Sequence, residues 1–67
     1  MMINYARCTL YRTRTKPHEY CLMSDSGHIW AVVWVMERDY GVFVTPCGLT
    51  GLMFFWDEVI KVDVLPV

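Results

Sequence analysis

Sixty-seven residues, 55% hydrophobic, 15% aromatic and 19% charged, give room for one domain spanning 1–67 and little more. Apolar content this high at a net charge of −1 excludes a disordered chain and a generic cationic nucleic-acid arm. The longest apolar run, Ile29 to Met36, is far shorter than the about 18 residues of a spanning helix.

The first residues, Met1 to Arg7, lack the basic-then-apolar order of a secretory signal. Cys8, Cys21 and Cys47 are odd in number and widely spaced, unlike a disulfide framework. A cytoplasmic chain with reduced thiols and no membrane partner is therefore expected. Charge is divided unevenly. Arg7, Arg12, Arg14 and Lys16 oppose only Glu19 in residues 1–20, whereas the remainder has six acids against Arg38 and Lys61.

In chain order, residues 3–15 predict a strand, with Ala6, Cys8 and Leu10 on one face and Tyr5, Arg7, Thr9 and Tyr11 on the other. Pro17 closes it. A short second strand over 19–23 ends at Ser24-Asp25-Ser26-Gly27, a strong turn signal. Residues 28–36 are apolar on both faces: Trp30, Val32, Trp34 and Met36 on one, Ile29, Ala31, Val33 and Val35 on the other. Such a strand is central, or is covered on its second face by another element or another chain. Glu37 to Gly41 reads as a hairpin loop in which Gly41 supplies a positive φ, and 42–45 returns as the fourth strand.

Pro46 to Gly51 is a loop, and 52–56 is a short strand or an apolar lid. Asp57-Glu58 suggests one tight helical turn, and the alternation of Ile60, Val62 and Val64 with Lys61 and Asp63 predicts a final strand ending at Pro66. A helix over 49–60 is disfavoured by Gly51, the aromatics Phe54-Phe55-Trp56 and β-branched neighbours. The expected class is mainly β with one short helical turn: five to six short strands in a small, strongly bent antiparallel sheet. In size, and in the tight turn before the last strand, this resembles SH3-like, partly open barrels.

Catalytic motifs are absent. Neither a nucleophile elbow nor a phosphate-binding Gly-rich loop followed by Lys-Ser/Thr occurs. Cys47 with a histidine is an arithmetic pair, but a free cysteine is more often a small buried hydrophobe. His18-x-x-Cys21 has zinc-like spacing but no second close pair accompanies it, so no metal or other cofactor is expected. The chain does not read as an enzyme.

Three Trp, three Phe, four Tyr and five Met are more than so small an interior hides. Trp34, Val42, Val44, Ile60 and Val62 are assigned to the core, leaving Trp30, Tyr40, Phe54, Phe55 and Trp56 for a patch that another chain covers. The leading expectation is a non-catalytic protein-interaction domain that forms a homodimer and blocks a larger host protein. In compactness and lack of motifs, the chain resembles small inhibitor and accessory proteins of phages and mobile elements. The alternative is a small β-barrel binding single-stranded nucleic acid through Tyr5, Arg7, Tyr11, Arg12, Arg14 and Lys16.

Overall fold

Short runs rich in Val, Ile, Thr and aromatics, separated by turn residues every few positions, have too little helical periodicity to make anything but strands. The computed structural model describes residues 7–66. Its strands are β1 (Cys8–Thr13), β2 (Tyr20–Ser24), β3 (Ile29–Glu37), β4 (Gly41–Pro46), β5 (Leu52–Phe55) and β6 (Ile60–Val62), with a single 3-10 turn, Trp56–Glu58, before the last. Residues 3–6 of the expected first strand lie outside the described residues.

The strands form one sheet in the order β5-β4-β3-β2-β1-β6. Its two edge strands are consecutive in the chain, and this forces the curl. From Phe55 to Ile60 the chain reaches at most about 17 Å, whereas the edges of a flat six-stranded sheet stand about 24 Å apart. The result is the bent half-barrel that the sequence predicts. One pairing departs from the expected antiparallel pattern. The chain crosses the open side through the 3-10 turn and lays β6 parallel to β1, so the sheet is mixed.

The concave face holds the core. Leu10 lies opposite Leu22, and Leu22 opposite Trp30. Val44 lies between Val35 and Leu52, and Val42 opposite Phe54. Leu10, Leu22, Val42, Val44 and Val59 are buried, with Trp30, Val32, Val35, Leu52, Phe54 and Trp56 packed around them. Val42 and Val44 are thus core residues, as expected.

Two core assignments are corrected. In the β3–β4 pairing Val32 faces Pro46 but Trp34 already faces Thr45, so a bulge at Val33 interrupts the register. An extra residue reverses side-chain parity beyond it. Trp30, Val32 and then Val35 point inward, while Trp34 turns outward and is 52% exposed. Ile60 is also outside, at 46% exposure, because Val59 takes the inward position and Ile60 aligns with Tyr11 on the convex side. Val62 is half-buried.

The role of Gly41 differs too. Among the described residues only Gly27 (φ 88°) and Gly48 (φ 79°) have positive φ. Gly41 is required instead by close approach: a Cβ there would meet the Phe54 carbonyl oxygen at 2.3 Å.

Candidate protein-interaction surface

Alternation along β4 decides what its two faces carry. With Val42 and Val44 buried, Phe43 and Thr45 must face outward. The register then sets Met36, Phe43 and Met53 side by side across β3, β4 and β5. Trp34 lies beside this row, opposite Thr45, and Phe55 on its other side, opposite Gly41. From the hairpin turn, Tyr40 packs edge-on against the Phe43 ring, with centroids 6.3 Å apart and an interplanar angle of 89°.

Trp34, Tyr40, Met53 and Phe55 are exposed, and Met36 and Phe43 half-buried. The convex face of β3–β5 is therefore a sheet of aromatic and methionine side chains; at its margin Arg38 reaches from the hairpin to donate Nη2 to Met36 Sδ at 2.6 Å, with Asp39 beside it and Glu58 beyond β5. Apolar centre and charged margin are the anatomy of a protein interface.

The five residues expected to form such a patch separate. Tyr40 and Phe55 belong to this face. Trp30, Phe54 and Trp56 turn inward and pack against the core. Trp56 is a staple: its backbone N–H donates to the Tyr40 carbonyl at 3.3 Å, and its indole Nε1 donates to the Arg38 carbonyl at 2.8 Å. It thereby ties the β3–β4 hairpin to the 3-10 turn. Trp34, Met36, Phe43 and Met53 were missing from the sequence-based set. Simple alternation beside Val42, Val44 and Phe54 marks Phe43 and Met53, whereas Trp34 and Met36 are hidden by the bulge.

The basic set disperses. Tyr5 lies outside the described residues, and Arg7 is exposed before β1. Tyr11 is half-buried on the convex side. Arg12 points the other way, its guanidinium 5.5 Å from the Trp56 ring centroid, a cation–π contact. Arg14 and Lys16 lie past the end of β1, where Arg14 bonds Asp63 at 2.8 Å. Among the described residues of this set, no single row of basic and aromatic side chains emerges.

At this end of the barrel, Lys16, Pro17, His18, Tyr20, Val35 and Glu37 line an open depression of about 500 Å³. The Tyr20 hydroxyl donates to Glu37 Oε2 at 2.5 Å. Burial pushes the Tyr20 pKa well above its usual value, and the hydrogen bond and charge of Glu37 push it further, against an opposing contribution from Arg12. Once pH passes about 10, the unfolded chain gives up this proton while the folded chain keeps it. Stability should be complete with respect to this group below that pH and fall above it. Thermal unfolding from pH 8 to 11 should show a steeper decline for the wild type than for Tyr20→Phe.

No protein family, curated protein or solved structure matches the chain.

His18 Nδ1 donates to the Thr13 carbonyl at 2.8 Å, and among the described residues no three His, Cys, Asp or Glu side chains gather as a metal-holding group. Burial raises the Cys8 and Cys21 thiol pKa values, disfavouring the nucleophilic thiolate; for Cys8 the charge of Asp25 adds to this. Cys47 is exposed in the β4–β5 loop. No described helix is long and apolar enough to cross a membrane.

Proposed function

We propose that this protein is a non-catalytic interaction domain that docks on a larger protein through the convex face of β3–β5, covering a surface of that target as an inhibitor or accessory subunit does. The observation that carries the reading is the Met36–Phe43–Met53 row with Trp34, Tyr40 and Phe55 around it, left open although the concave side already has a complete core. Trp and Tyr lose few rotamers on contact and Met adapts to irregular shapes, so such a face supplies binding energy where a partner excludes water.

The decisive experiment crosslinks a photoreactive residue at Trp34 or Phe55 to the target, with Lys61 as the control position, and then measures binding of variants. Trp34→Ala and Phe55→Ala are each expected to weaken target binding by about 2 kcal/mol, the scale of an interface hot spot. Arg12→Ala and Arg14→Ala should change it little, and moderate salt should leave it largely intact. Tight binding to an oligonucleotide that falls steeply with salt and requires the arginines would replace this reading with the nucleic-acid one.

A further inference from the structure

The edge of the sheet, distinct from its convex face, supports a second conclusion. Trp56 N–H donates to the Tyr40 carbonyl across the β5–β4 pair. In an antiparallel ladder such bonds recur every second residue, so Phe54 and Leu52 also turn their backbone groups toward β4. The N–H and C=O groups of Gly51, Met53 and Phe55 then point out from the free edge. Phe55 N–H fits this directly, since it is met by the Glu58 carboxylate at 2.9 Å and not by β4.

Exposed edges are ordinarily blunted by charge, proline or a bulge. The other edge strand, β6, has only three residues and carries Lys61. Leu52-Met53-Phe54-Phe55 carries no charge or proline of its own, and among the described residues the Glu58 carboxylate, on the Phe55 N–H, is the one group that blunts it.

We propose that two copies of this chain join by pairing β5 with β5, antiparallel about a twofold axis at Met53, into one continuous sheet. With Met53 on the axis, the two Met53 residues exchange N–H···O=C bonds, and each Phe55 falls opposite Gly51 of the other copy. Gly51 has no side chain, and the space around it is ordinary: the nearest neighbour of an added Cβ would be Thr45 Oγ1 at 3.6 Å. The Phe55 ring therefore has room across the new pair, as it has beside Gly41 within its own sheet. The twofold also sets Asp57 and Glu58 of each copy near the uncharged Gly48–Thr50 loop of the other, so like charges do not meet. The two Met36–Phe43–Met53 rows become continuous and the convex faces remain open. This register complementarity of a strand with itself is why the occupant is a second copy.

Glu58 competes with the pairing, because its carboxylate occupies a donor that the second copy would use. Sedimentation equilibrium of the full chain at micromolar concentrations tests the assembly. The wild type should form a dimer. Met53→Pro removes an N–H that β4 does not use, and should weaken the dimer by about tenfold or more while leaving the circular dichroism spectrum unchanged. Where that variant does not fold, Met53→Lys puts like charges on the axis and should do the same. Glu58→Ala should tighten the dimer, and Trp34→Ala should leave it intact.

A wild type that stays monomeric at about 100 µM, where a dimer with a micromolar Kd would be almost fully formed, overturns the proposal. So does a dimer that survives the Met53 variants, or one lost with Trp34→Ala, which would indicate face-to-face packing. These readouts are separate from target binding, so the dimer and the docking surface can fail independently.

Discussion

Gly41→Ala should destabilise the domain by about 3 kcal/mol, the upper end of the overpacking range. The added Cβ would lie 2.3 Å from the Phe54 carbonyl oxygen and 3.0 Å from Phe55 Cα, both backbone atoms that cannot swing aside. Relief requires β4 and β5 to separate where they are held closest, next to the Trp56 bond that closes the hairpin end. In a domain this small, a loss of that size removes most of the folding free energy. Urea unfolding measured below the concentration of self-association should show it as a large fall in midpoint. Gly51→Ala is the control. Its Cβ meets nothing closer than 3.6 Å, and its midpoint should stay near that of the wild type. Equal losses from the two variants would refute the close approach.

Leu22→Ala is expected to remove about 3 kcal/mol or more, as truncations of fully enclosed leucines do. Leu22 is completely buried, with Leu10 on one side and Trp30 on the other, so little of the resulting cavity can collapse. Trp34→Ala removes more atoms but should lose less than about 1 kcal/mol of stability, because its side chain leaves no comparable cavity. The two measurements together test the division of the sheet into a core face and a docking face. A larger stability loss at Trp34 than at Leu22 would mean that the faces are wrongly assigned, and the proposed interface with them.

The contrast matters for function because the two faces draw on the same residue types. Trp30 and Trp34 are four positions apart on one strand, yet Trp30 packs on Leu22 while Trp34 faces solvent. Trp56 could be mistaken for an exposed anchor, but it holds the hairpin through Arg38 and Tyr40. Its replacement would confuse loss of binding with loss of fold, and Trp34 and Phe55 are the cleaner probes.

The strands and the turns at Ser24–Gly27 and Pro46–Leu49 were legible in the sequence, because alternation and turn chemistry are local properties. So were the buried Val42 and Val44 and a tight turn at Asp57-Glu58, which in the structure begins one residue earlier at Trp56, and the surplus of aromatics announced that some would remain uncovered. Which ones remained uncovered was settled by pairing. The bulge at Val33 reversed the parity of Trp34 and Met36, and a bulge is defined by the partner strand rather than by the residues that contain it. The parallel docking of β6 on β1 was equally invisible, since it follows from a short connection drawing the two edges of the sheet together. Burial of Val59 in place of Ile60 is a consequence of that docking. Local sequence determined where the chain extends and turns; long-range register decided which side of each strand faces the core and which is left open to solvent.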